Sequence, residues 1–228
     1  MRKILSLLIC AFIVLSFSNA NAQKKGKSFS GVINYQITYP GADMDPAMAG
    51  AMPTSTVLKI LEEKQRIDVV TAQMTQTIII NTSLKTSIAL LDVMGMYKWA
   101  IKSTTLQIDS ALKVGGAPKI EVLAETKVIA GYTCKKVTAT QDDGTVYSGY
   151  FTDEIAGDYD NWNGPFWGLK GTLLEYEVEQ NGMTMKYSAT EIKKEKPKAT
   201  DFMMPEGFKV VTSEQLKVEI EQLQNGGQ

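Results

Sequence analysis

Histidine is missing from all 228 residues, and cysteine occurs only twice, at Cys10 and Cys134. Without histidine there can be no Ser-His or Cys-His nucleophile pair. The imidazole ligands of zinc and non-haem iron sites are missing for the same reason. Two cysteines cannot build a thiolate cluster. Arginine is also scarce, since Arg66 is the only one after Arg2. No strongly basic face of the kind that binds a phosphate backbone is expected, so nucleic acid is not a predicted partner. Gly115-Gly116 and Gly164 lack the flanking residues of a phosphate-binding loop. The 25 acidic residues would allow carboxylate-pair chemistry. None of them sits in a distinctive constellation, and Asp142-Asp143 precedes Gly144 as turn chemistry. No catalytic residue, metal ligand or cofactor is assigned, and the chain is not expected to be an enzyme.

Long apolar runs are equally few. Residues 4–17 form the one extended run, too short for the roughly 20 residues of a comfortable membrane span. Arg2 and Lys3 precede it, and Ala20-Asn21-Ala22 follows as a small-residue cleavage pattern. Residues 1–22 are therefore expected to be a signal peptide cleaved after about Ala22. The mature chain, residues 23–228, is expected to be exported to the periplasm or cell envelope with no transmembrane segment. Loss of Arg2 and Lys3 takes the formal net charge from −1 to −3. Cys10 lies inside the run, after Ile9, where a lipid-attachment cysteine would not fall. Cys134 then remains alone, so no internal disulfide can form. It is expected as a small buried hydrophobe in a strand, with an intermolecular disulfide as the alternative.

Period-two alternation dominates the rest of the chain. It marks strands at 33–39, 56–62, 65–70, 74–80, 86–93 and 97–102, rich in Thr, Ile and Val. Asn181-Gly182 supplies a type I′ hairpin turn for residues 174–189. Counting outward from it pairs Val178 with Met185, Tyr176 with Tyr187 and Glu177 with Lys186, which matches apolar to apolar and charge to countercharge. A second hairpin at Asp143-Gly144 joins 132–140 to 146–152. The predicted fold is mostly β, a curved antiparallel sheet or open half-barrel with a few short helices. Residues 23–228 form a single domain with a core at about 29–212 and a C-terminal helix at about 213–224. Thr212 and Gln215 match a capping box for that helix, and Gly226 stops it.

Two segments break the alternation. Residues 40–53 are small, apolar and Met-rich, with Met44, Met48 and Met52 spaced so that one helical face could carry all three. They read as a loop or short helix over a core edge, as a lid on an apolar cavity, or as a thioether site for Cu(I). Residues 157–168 hold Tyr159, Trp162, Phe166 and Trp167 among Asn, Gly and Pro, which suits either the lip of a binding site or a cap on the core. Arg66 is expected to pair with a carboxylate or to meet an anionic ligand head.

The segments Gly131-Tyr132-Thr133-Cys134-Lys135-Lys136, Asp143-Gly144, Tyr150-Phe151-Thr152-Asp153-Glu154-Ile155, Gly168-Leu169-Lys170-Gly171 and Phe202-Met203-Met204-Pro205-Glu206-Gly207-Phe208 fall in an order that resembles domain-of-unknown-function family 4412, exported proteins found mostly in Bacteroidota. The resemblance covers most of residues 30–215 and brings no catalytic residues with it. It implies a layout similar to the LolA/LolB-like lipoprotein carriers, in which a curved antiparallel half-barrel wraps short helices and encloses an apolar cavity. The chain departs from lipid-anchored members of that group in lacking a lipid-attachment cysteine. On this footing the expected function is a non-catalytic carrier for a lipid or other hydrophobic small molecule. The alternative is a structural or interaction module for an envelope protein. The candidate ligand-contacting residues are Met44, Met48, Met52, Arg66, Trp99, Cys134, Trp162, Phe166 and Trp167. If the inner face of the 132–140 strand lines a cavity, Cys134 is one of its walls.

Overall fold

The structure is a computed structural model that describes residues 29–155, 161–162, 164–180 and 182–225. The signal segment, Tyr159, the turn residue Asn181 and Gly226 lie outside the described residues. Six strands run as an antiparallel meander: β1 (Ser30–Thr38), β2 (Ser55–Leu61), β3 (Lys64–Val70), β4 (Met74–Asn81), β5 (Thr86–Val93) and β6 (Tyr97–Ser103). Five more make a second meander: β7 (Lys119–Ile129), β8 (Tyr132–Thr140), β9 (Val146–Thr152), β10 (Thr172–Gln180) and β11 (Met183–Lys193). A two-residue strand, β12 (Lys209–Val210), lies parallel to β6. All belong to one open sheet in the order β12-β6-β5-β4-β3-β2-β1-β11-β10-β9-β8-β7. Three short helices accompany it, α1 (Pro46–Ala51), α2 (Thr105–Gly115) and α3 (Ser213–Asn225). Among the described residues no helix is long and apolar enough to cross a membrane.

The expected strands form nearly where the alternation places them, and the hairpin register is the counted one: Tyr176 opposite Tyr187, Glu177 opposite Lys186, Val178 opposite Met185. The same alternation builds the sheet's front face. Register carries one apolar row across six strands, through Ile33, Leu58, Ile67, Ile78, Ala89 and Ile101. A row of this kind gains from cross-strand packing but must be covered. Ile108 and Leu112 of α2 supply part of the cover, packing with Trp162 and Ile80.

The opposite, back face is covered by the chain after β11. Phe202, Met204 and Phe208 pack on Leu61, Ile79, Leu90 and Ala100. Arg66 fastens this segment. Its Nε donates to both Asp68 oxygens at 2.8 and 2.9 Å, and Nη1 donates to the Asp201 carbonyl at 2.8 Å. Lys59 reaches the Asp201 carboxylate at 3.1 Å.

Two helices differ from the expectation. α2 was not anticipated, although Thr104 and Gln107 form the same reciprocal capping box as Thr212 and Gln215. In the Met-rich loop, α1 covers only Pro46–Ala51. Asp45 precedes Pro46 and Met52 precedes Pro53, and a residue before proline is pushed out of helical backbone. Met44 and Met52 therefore fall outside the helix that was to align them with Met48, whose side chain lies outside the described set.

Replacing Phe202 by Ala removes the aromatic centre of the back-face cluster. Urea denaturation should report a loss of about 3 kcal/mol, the usual scale for deleting a buried Phe side chain.

Candidate functional site

The described part of the connection between β9 and β10 lies over the front face, where side-chain amides bonded to its carbonyl groups fix its course. Asn161 takes a left-handed φ of 51°, which asparagine tolerates. Its side-chain Nδ2 donates to the Leu169 carbonyl at 2.7 Å and the Gly171 carbonyl at 3.0 Å. Gln141 Nε2 donates to the Pro165 carbonyl at 3.0 Å. Gly171 has φ 123°, and a Cβ there would lie 2.6 Å from the Thr152 carbonyl oxygen, so only glycine fits.

Between this connection and the sheet lies a cavity of about 380 Å³, within the range of small-molecule sites. Its sheet wall comes from both meanders. Leu58, Ile67, Val69 and Ile78 come from the first, and Tyr176, Val178 and Tyr187 from the second. The cross-connection contributes Asn161, Gly164, Pro165 and Phe166. Among the described residues no charged side chain lines it. A charged ligand group would lose water there without gaining a countercharge.

Tyr176 is the aromatic hub. It stacks on Tyr187 with centroids 4.8 Å apart and rings 4° from parallel. It also meets Tyr35 and Phe166 edge-on at 6.3 and 6.4 Å. Such contacts contribute beyond plain area burial. Tyr35 donates its hydroxyl to the Leu173 carbonyl at 2.8 Å. Burial, helped by neighbouring ionisable groups, holds the Tyr35 and Tyr176 hydroxyls protonated well above the usual tyrosine range. At the other end, Gln65 is 95% buried between Ile60 and Ile80, and its side-chain amide makes no hydrogen bond among the described residues. This residue was not singled out from the sequence. The available signal was a polar residue on the parity of Ile67 and Val69.

The predicted site residues scatter. Phe166 lines the cavity. Trp162 is buried beside it against Ile80, with Trp167 packed on the same cluster. Cys134 is fully buried in a core with Ile33, Tyr35, Ile60 and Leu174, and burial pushes its thiol up. It does not line the cavity. Arg66 is on the back face, bound to Asp68 and the Asp201 carbonyl. Trp99 stacks on Tyr97 at 5.6 Å and donates Nε1 to Glu219 of α3 at 2.5 Å, in a separate cleft. Lys209 also reaches Glu219, at 2.6 Å. Neither Met44 nor Met52 lines the cavity.

Fold and site define a class: an open antiparallel sheet with an uncharged cavity under an aromatic cross-connection. No protein-family model matches the chain and no curated protein matches it in sequence. The resemblance to family 4412 thus rests on the quoted motifs. The likenesses found are to solved structures. PNGF-II in its P21 crystal form superimposes with a TM-score of 0.57 at 15% identity, over 86% of this chain and 34% of that one. This chain spans about a third of the length of PNGF-II, and at that identity the likeness is one of fold. MucB matches with a TM-score of 0.32 at 8% identity, over 80% of this chain and 60% of that one. Mycobacterium tuberculosis lipoprotein LppX matches with a TM-score of 0.27 at 11% identity, over 72% and 86%. Both are looser matches and bear no functional weight.

The tyrosine shifts have a definite sign. Unfolded tyrosine ionises near pH 10, while the folded hydroxyls release their protons only at higher pH. Their contribution is complete below about pH 10 and is lost as pH rises above it. Urea midpoints should fall from about pH 10 upward, and more shallowly in Tyr176→Phe than in the parent.

Proposed function

We propose that the protein is an exported, non-catalytic binding protein that takes an apolar or amphiphilic small molecule into the cavity under the cross-connection. The observation that carries this reading is the cavity wall itself, a mostly apolar surface drawn from both meanders without a charged side chain among the described residues. A hydrolytic site would place converging carboxylates or a nucleophile and base in such a cleft, and the described lining offers neither. Its volume corresponds to about a dozen water-sized groups, enough for one medium acyl chain or a small ring system. Export is the reading of residues 1–22, and the periplasm or envelope is the compartment it implies.

The test uses N-phenylnaphthylamine, an uncharged dye that brightens in apolar surroundings. The mature protein should take up about one dye per chain. Ile67→Trp fills the middle of the cavity and should weaken uptake at least tenfold while the circular dichroism spectrum is kept. No uptake by the parent protein, or equal uptake by Ile67→Trp, would sink the reading.

One feature favours a second reading, an envelope interaction module. β7 is an outer edge strand, and Val122, Leu123 and Val128 on it are 51, 40 and 70% exposed. An open edge can accept a strand from another chain. This reading expects sedimentation to show association that Val128→Lys abolishes with dye uptake unchanged. A monomer at all concentrations, with no envelope protein bound, counts against it.

A further inference from the structure

A nearly buried polar side chain without a partner occupies one end of the cavity. Gln65 lines the cavity, exposes 5% of its surface and makes no side-chain hydrogen bond among the described residues. Trp162, whose buried Nε1 also has no partner, packs on Ile80, the register partner of Gln65, but does not line the cavity. Buried polar groups in folded proteins are nearly always bonded, so an unpaired glutamine amide in this wall asks for an explanation. This end is closed, since Ile60 and Ile80 beside Gln65 are 1 and 0% exposed. Along β3 the wall continues through Ile67 to Val69, roughly 13 Å away at the usual strand rise, where Gln76 is exposed to solvent.

The glutamine amide offers two donors and a carbonyl acceptor, all uncharged. Resting on the cavity-binding reading above, we propose that this end recognises an uncharged oxygen group, a hydroxyl or an ester or amide carbonyl. The ligand's apolar body then lies along Leu58, Ile67 and Ile78 towards Val69. Gln65 is the specificity-determining residue. A carboxylate would present the same oxygen geometry, but among the described residues no cation lines the cavity to offset its desolvation. The ligand class is therefore the neutral amphiphile, not the free fatty acid.

Competition against N-phenylnaphthylamine tests this with decanol, methyl decanoate and decanoic acid. At about pH 8 the alcohol and the ester should displace the dye at least tenfold more readily than decanoate. Acidification below about pH 4 protonates the acid and should close most of that gap. Gln65→Met should weaken decanol by roughly three- to tenfold, the scale of one hydrogen bond, and leave dye affinity as it was. Equal displacement by decanol and decanoate at pH 8 overturns the proposal, as does Gln65→Met binding decanol like the parent. If Gln65→Met loses the parent's circular dichroism spectrum, the parent protein's ligand ranking decides alone. Absence of dye uptake by the parent is a different result, and it overturns the binding reading itself.

Discussion

The pairing of β1 with β11 holds the protein together as one object. Every other antiparallel contact in the sheet joins strands that are neighbours in sequence, so each meander can be built from local turns. β1 and β11 are separated by most of the chain, and their ladder runs from Val32 opposite Lys193 to Thr38 opposite Lys186. A shift in register between Asn34 and Tyr35 adjusts the strands as they meet. The buried cluster around Ile33, Tyr35, Leu174 and Ala189 forms at that seam. The cavity depends on it directly, because Ile67 and Ile78 come from one side of the seam and Tyr176 and Tyr187 from the other. Loss of the seam would leave two half-walls and no site.

The cavity's chemistry follows from how its walls are made. A half-buried strand places apolar side chains on one face by alternation, so a wall cut from such strands is apolar by default. Departures from that default carry the information. The tyrosines pack their rings against one another, and Tyr35 gives its hydroxyl to the Leu173 carbonyl. Gln65 breaks the alternation at a position that exposes only 5% of its surface. A polar side chain there lowers stability unless something completes it.

What could be read from the sequence was what local chemistry decides. The 174–189 register followed from a two-residue turn and a parity count, and the second hairpin and the C-terminal helix followed from similar signals. The aromatic stretch around Trp162 and Phe166 was recognisable as unusual. What could not be read was anything set by contact across the seam. The neighbour of β1 is chosen by a strand some 150 residues later, so the walls facing the aromatic stretch had no sequence signature. Cys134 illustrates the limit. Parity put it on a buried face, but only the strand order decides whether that face meets a cavity or a packed core, and here it meets the core. Arg66 similarly shares its strand with Gln65 and Ile67 but points to the other side, where it fastens the returning chain. α2 was missed although its capping box was present, because its apolar stripe is confined to Ile108 and Leu112.

The cross-connection over the cavity is held mainly through carbonyl oxygens, those of Pro165, Leu169 and Gly171, by the side chains of Gln141 and Asn161. A carbonyl is the same whatever residue carries it. These bonds are indifferent to the side chains along the roof, whose packed anchor is Phe166 with Leu169 on Val137, Ala139 and Phe151. A side chain could be added at Gly164, where a new Cβ would meet nothing within 4 Å, with the roof still in place. Such an arrangement lets natural variation retune ligand preference one side chain at a time, without a new fold having to be found at each step.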